Sequence, residues 1–131
     1  MSEYVKVDVV FKDGDALVAA LKEIFPEVEV FNEAVPLIDY QGKPRHNTKA
    51  NIIVRRKHLN HLSNDMGFEK VGDHFKVHIS DYDHKKEWTR LDQIKQEYSA
   101  AATIAACKRR GWNVTREAKE DGTVRLRVRG M

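Results

Sequence analysis

The chain has 131 residues, 41% of them apolar and 33% charged, with one cysteine, Cys107, and a net charge of +3. That size and balance fit a globular domain that buries its own core, and they exclude a disordered polymer or a disulfide-built miniature. Lys6 and Asp8 interrupt the first apolar run, which excludes a secretory leader, and no stretch nears the roughly 18 apolar residues of a membrane span; with the lone cysteine, this predicts a cytoplasmic protein with no membrane partner.

Residues 4–11 alternate Val5, Val7, Val9 and Phe11 with polar residues, the period of a strand with one buried face. Asp13-Gly14-Asp15 then reads as a turn and cap. Leu17, Ala20, Leu21 and Ile24 recur at helical spacing, so a first helix is expected over 15–25, stopped by Pro26. Glu27–Phe31 is a second short strand. Residues 32–50 hold Pro36, Gly42 and Pro44, which punctuate structure. Leu37–Tyr40 reads as a strand turning at Gly42, with Ala50–Arg56 as its partner, either in a meander or in a hairpin reaching away from the core.

Residues 57–66 read as a short helix or loop. Gly72-Asp73 sits between the alternating runs 67–71 and 74–80, the signal of a two-residue hairpin with glycine first. Phe75, Val77 and Ile79 are expected inward, and His74, Lys76, His78 and Ser80 outward. The main helix is expected from about Thr89 to Arg110. Its middle is slim, with Ala100, Ala101, Ala102, Ala105 and Ala106, which predicts that it lies close across the sheet. Gly111 occupies the position of a left-handed C-terminal cap, and Trp112, folding back on the last turn, is expected in the core.

The last strand, Thr123–Arg129, alternates three arginines with three aliphatic residues. A two-residue Asp121-Gly122 loop would oppose Arg116 to Arg127 and mix the two faces. A three-residue loop over 120–122 instead pairs Ala118 with Val124, Glu117 with Arg125, Thr115 with Arg127 and Val114 with Val128. It puts Gly122 at the left-handed bulge position. That register is the expectation, with Glu117 offsetting Arg125 and leaving Arg127 and Arg129 as the freer cations.

The second half of the chain resembles the hypothetical chloroplast reading frame thirty-five family, whose members occur in plastids, cyanobacteria and other bacteria. The resemblance runs over about 65–131. It is carried by Asp65-Met66-Gly67-Phe68, the strand after Gly72, Leu91–Tyr98, Gly111-Trp112-Asn113-Val114 and Glu120–Val128. The family tends to end with an aromatic after the basic strand, whereas this chain ends Gly130-Met131. The family has no agreed activity, so the resemblance implies a fold class and carries over no catalytic residues.

Function-bearing constellations are few. His58 and His61 would share a helix face, but His74 and His78 lie about 13 Å apart at strand rise, too far for one zinc ion. No metal or cofactor is therefore expected. No nucleophile elbow or glycine-rich phosphate loop is present, and Cys107 lies deep in the main helix, so no catalytic residues are assigned.

Charge is the exception. Residues 101–131 hold eight Lys/Arg against three Asp/Glu, or +5, whereas residues 1–100 hold fifteen against seventeen, or −2. The binding candidates are Lys108, Arg109, Arg110, Arg116, Arg127 and Arg129, a second small cluster at Arg55 and Arg56, and Trp88. Helix-end cations also stabilise the macrodipole, edge-strand charges also prevent aggregation, and Trp88 reads equally as an interface anchor or as a staple at the helix entry.

Together these features predict one α+β domain over 1–131. Its antiparallel or mixed sheet of five to seven strands is covered by two helices, and a β-hairpin closes the chain. The expected function is a non-enzymatic binding or adaptor protein, acting through protein–protein contacts as a homo-oligomer, with the 36–56 hairpin and the basic strand making contact. Two alternatives stand beside it: nucleic-acid binding through phosphates at the C-terminal basic face, and a small anionic ligand or nucleotide held at a subunit interface by Arg55, Arg56 or His78.

Overall fold

A computed structural model describes residues 3–121 and 123–130, apart from the side chains of Lys6, Asp8 and Ala118. Seven strands and three α-helices follow in the order β1 (Tyr4–Phe11), α1 (Gly14–Ile24), β2 (Glu29–Ile38), β3 (Pro44–Val54), β4 (Met66–Val71), β5 (His74–Ser80), α2 (Asp81–Lys85), α3 (Leu91–Arg109), β6 (Asn113–Ala118) and β7 (Val124–Arg129), with a 3-10 turn at Arg56–His58. Five strands form an antiparallel sheet in the order β1-β5-β4-β3-β2, and β6 and β7 form a separate two-stranded sheet. This is the α+β class with a closing hairpin that the sequence predicts.

The helices cover one face of the larger sheet. Phe11, Ile52, Val54, Met66, Phe68, Val77 and Ile79 point from the strands into a core shared with Leu17, Leu21 and Phe25 of the α1 segment and with Leu91 and Ile94 of α3. Phe11 packs edge-on against Phe68 at 5.8 Å and against Tyr98 at 4.8 Å, a favoured geometry for rings. Helix α1 starts where expected because Asp13 Oδ1 accepts the Ala16 N–H, and it ends at Ile24 ahead of Pro26. The Tyr98 hydroxyl accepts the N–H groups of Lys12 and Asp13, tying the β1–α1 turn to α3.

Helix α3 departs from its predicted path. Only its first half reaches the sheet core; the second half runs beside α1 and then beneath the β6–β7 hairpin. The alanines make room for a helix rather than for the sheet: Ala16, Ala19, Ala20, Ala101 and Ala105 line one groove between α1 and α3. The C-terminus is capped as predicted. Gly111 has φ of +75°, its N–H donates to Lys108 O, and the Trp112 N–H donates to Cys107 O. Trp112 itself is 37% exposed, not in the core, because the last turn it folds against has already left the sheet.

The 27–56 region differs most from expectation. Two short strands become one, β2, which pairs along β3 with register shifts between Val30 and Val35 and between Pro36 and Leu37. Leu37 pairs with Arg45 and Ile38 with Pro44, so Ala50–Val54 is not the partner of 37–40 but of residues 29–35 of β2 and of β4. Nor does the hairpin reach away. It curls over the second face of the sheet, where Leu37, Ala50 and Ile53 are fully buried against Phe31, Val35 and Tyr4. Gly67 permits this: a Cβ there would lie 2.5 Å from Ala50 Cβ and 2.9 Å from Leu37 Cδ2. The tip is a tight turn in which Gly42 has φ of +79° and Asp39 Oδ1 accepts the N–H groups of Gln41 and Lys43.

The hairpin β4–β5 turns at Gly72-Asp73, with Val71 opposite His74 and Gly72 at φ +64°. Val77 and Ile79 are buried as predicted; Ser80 is buried too, contrary to expectation, because it caps α2 by accepting the Asp83 N–H. The final hairpin has the predicted register, Ala118 opposite Val124 through Asn113 opposite Arg129, closed by Lys119 N–H donating to Thr123 O. The bulge position assigned to Gly122 lies outside the described residues. The ion pair on its outer face is diagonal: Glu117 meets Arg127 at 3.0 Å rather than Arg125 directly opposite.

Candidate functional site

Two places collect polar chemistry: a sealed network under the curled hairpin, and the C-terminal arm formed by the second half of α3 with β6 and β7. In the network, Asp65 accepts the Ile38 N–H at 2.9 Å, the Arg56 N–H at 2.8 Å and an Arg55 guanidinium N–H at 2.9 Å. Arg55 also grips Glu29 through two nitrogens, at 2.7 and 3.2 Å, and this contact holds the Glu29 carboxyl below the usual carboxylate range. Arg56 donates to the carbonyls of Ser63, Tyr40 and His61. Asn64 accepts the Tyr40 N–H and donates to Ser80 Oγ, and Asp83 Oδ2 accepts the Asn64 N–H.

Buried carboxylates with shifted titration mark catalytic sites in many enzymes. Here burial raises Asp83, and its Oδ1 has no hydrogen-bond partner. Burial also raises Tyr4, with the Asp65 and Asp83 charges adding to the effect. For Asp39, burial works to raise the carboxyl, but the Lys43 N–H, the Arg45 guanidinium and the Gln41 N–H outweigh it and hold the group low. Ser63, Asn64, Asp65, Ser80 and Asp83 are each at most 1% exposed, so a substrate has no route to them. The arrangement fastens the curled hairpin to the sheet: β2 hydrogen-bonds to residue 65, and the Tyr4 hydroxyl of β1 donates to Asp65 O.

This assigns three of the sequence candidates to internal work. Arg55 and Arg56 bind the protein's own carboxylates and carbonyls, and His78 sits 2.9 Å from Glu69 and is 13% exposed at its side chain. Arg116 pairs with Glu97 of α3, which is 9% exposed, and so clamps the hairpin to the helix. Trp88 is half-buried, edge-on to Tyr82 at 5.4 Å, and closes the α2–α3 turn. Of the remaining histidines named above, His58 meets Glu27 and His74 meets Asp73. Among the described residues no group of three or more His, Cys, Asp and Glu is placed to hold a metal ion.

Lys108, Arg109, Arg110, Arg125, Arg127 and Arg129 are all exposed on the arm. Arg110 lies over the Trp112 ring at 5.2 Å. The arm's apolar side is as notable as its charge. Among the described residues of 101–130 only Cys107 is buried; Val114, Val124 and Leu126 are half-buried, Val128 is 48% exposed and Trp112 37%. Alternation puts Val114, Arg116, Val124, Leu126 and Val128 on the side facing α3, and Thr115, Glu117, Arg125, Arg127 and Arg129 on the side facing away.

Clefts also open elsewhere among the described residues. One, about 680 Å³, lies between the start of α1, β2 and the β4–β5 turn, where Lys12 and Lys70 stand among Asp13, Asp15 and Asp73. Another, about 430 Å³, is the α1–α3 groove, floored by alanines and flanked by Asp13, Asp15 and Glu23 against Lys108, Arg109 and Arg116.

Sequence reasoning missed the sealed network. Its only signal was the polar run Ser63-Asn64-Asp65, which reads as a loop.

The chain belongs to the family described as Protein of unknown function (DUF1257), which matches residues 20–127. No curated protein and no solved structure matches it. Among the described residues no helix is long and apolar enough to cross a membrane.

Proposed function

We propose that the chain is a non-enzymatic binding protein that acts through protein–protein contact, assembles with itself, and uses the C-terminal arm as its contact surface. One observation carries this: over 101–130 the described residues include a single buried one, while Trp112 and Val128 stand exposed and Val114, Val124 and Leu126 are only half-covered by α3. A two-stranded hairpin has little independent stability in water and gains it from further strands or a covering surface. An arm in this state is a half-built core that a partner completes. The same reading places the protein in the cytoplasm, without a cofactor, and identifies it more narrowly as a hypothetical chloroplast reading frame thirty-five protein, on the motifs from Asp65 onward.

Light scattering at micromolar concentration tests it. The intact chain is expected above monomer mass, and Val128→Glu together with Trp112→Ser is expected to return it to monomer with an unchanged far-UV spectrum. A wild-type monomer, or an assembly indifferent to both substitutions, defeats the reading.

The outward arginines favour one second reading, phosphate-backbone binding, since Arg125 and Arg129 stand exposed beside the paired Arg127. Affinity for single- or double-stranded nucleic acid should then fall steeply with salt and vanish in Arg125→Glu/Arg129→Glu. A flat salt slope removes it.

A further inference from the structure

Resting on the proposed self-association, we infer that two copies join edge to edge through β6, antiparallel about Thr115, to give one continuous sheet in the order β7-β6-β6-β7. The argument begins with the strand edges. An open edge invites pairing, and proteins blunt the edges they leave free with bulges, prolines or charge. In the larger sheet, β1 carries a register shift between Lys6 and Val10, and β2 carries two shifts and Pro36. In the smaller sheet, β7 is blunted by charge. β6 pairs with β7 without a shift and contains neither proline nor glycine, and its two charges, Arg116 and Glu117, are taken up by Glu97 and Arg127, so it is the least protected of the described edges.

Hydrogen-bond phase then selects the register. Lys119 donates to Thr123 O, so the odd-numbered residues of β6 and β7 turn their backbone groups toward each other, and the even-numbered ones turn theirs to the free edges. A second copy must therefore pair even residues with even, which also keeps the faces aligned. On β7 every such register opposes arginine to arginine, because Arg125, Arg127 and Arg129 fill its odd positions. On β6, centring on Thr115 sets Thr115 opposite Thr115, Val114 opposite Arg116 and Asn113 opposite Glu117, with no like charges opposed. Centring one residue later would oppose Arg116 to Arg116. The joined sheet keeps both α3 helices on one face and presents the arginines of both copies on the other.

Cysteine cross-linking of the full chain tests the register. Thr115 is exposed on the outward face, and in this pairing the two Thr115 residues form a non-hydrogen-bonded pair with Cα atoms about 4.5 Å apart, within disulfide reach. The native Cys107 is buried. Thr115→Cys should give a covalent dimer nearly completely under mild oxidation, and Arg127→Cys should give little. Thr115→Lys should weaken self-association at least tenfold, while Thr115→Val should leave it intact. An assembled wild type in which Arg127→Cys cross-links and Thr115→Cys does not overturns the register and leaves the arm as the contact surface. A wild-type monomer overturns both.

Discussion

Asp65 holds three donors from two separate segments, the end of β2 and the Arg55-Arg56 pair, so replacing it should loosen the curled hairpin from the sheet. Asp65→Ala leaves the Ile38 and Arg56 N–H groups without acceptors and deprives Arg55 of one carboxylate while Glu29 remains. An unsatisfied buried donor costs roughly 1–3 kcal/mol, and both N–H groups are only partly buried, so about 1 kcal/mol each is appropriate. Loss of the charge-assisted bond to Arg55 adds about 1–2 kcal/mol. The total, about 3–4 kcal/mol, is a large share of a domain's roughly 5–15 kcal/mol. At roughly 3–4 °C per kcal/mol for a chain of this length, the melting temperature should fall by about 10–15 °C. Urea titration followed by circular dichroism measures the free energy directly, and a cycle with Arg55→Met isolates the pair. A loss under about 1 kcal/mol, or a cycle that is additive within error, would refute the view that this network holds the hairpin down.

Three further outcomes follow from single positions. Gly67→Ala drives a methyl group into Ala50 and Leu37, and should destabilise by about 1–3 kcal/mol; combined with Leu37→Ala, the loss in urea titration should be smaller than the sum of the two single losses, because the truncated side chain relieves part of the clash. Tyr98→Phe removes the acceptor for the Lys12 and Asp13 N–H groups and should cost about 1–2 kcal/mol, read from the same titration, with the ring contact to Phe11 preserved. Asp83 is an acid whose folded-state pKa is raised by burial, so it favours the folded state while protonated, and that contribution disappears as pH rises from the unfolded pKa through the folded one. Asp83→Asn keeps an acceptor for the Asn64 N–H and should stabilise the protein by on the order of 1 kcal/mol at neutral pH, with the gain vanishing at acidic pH where both forms are neutral; an equal effect at both pH values would contradict the assignment.

The terminal hairpin shows how charge patterning becomes readable. Its register was legible because only one loop length avoids opposing Arg116 to Arg127, and the structure has that register. Which carboxylate meets which arginine was not legible, since side chains reach diagonally as easily as across, and Glu117 turned to Arg127. The basic candidates divide in the same way. All read alike as cations, yet Arg55, Arg56 and Arg116 are held by residues between 5 and 26 positions away, whereas Lys108, Arg109, Arg125 and Arg129 remain on the surface.

Local rules determined the strands of strict alternation, the caps at Asp13 and Gly111, the turns at Gly42 and Gly72, and the pairing of β6 with β7, because each depends on residues close in the chain and on backbone geometry. Tertiary structure alone decided that β2 and β3 curl onto the back of the sheet, since that requires the bare Cα of Gly67 to meet Ala50 and Leu37 from distant segments. It also decided that α3 outruns the sheet. The spacing of Leu91, Ile94 and Tyr98 reports which face is apolar, but the length of sheet available to cover that face is set by the other strands, and where the cover ends the arm begins.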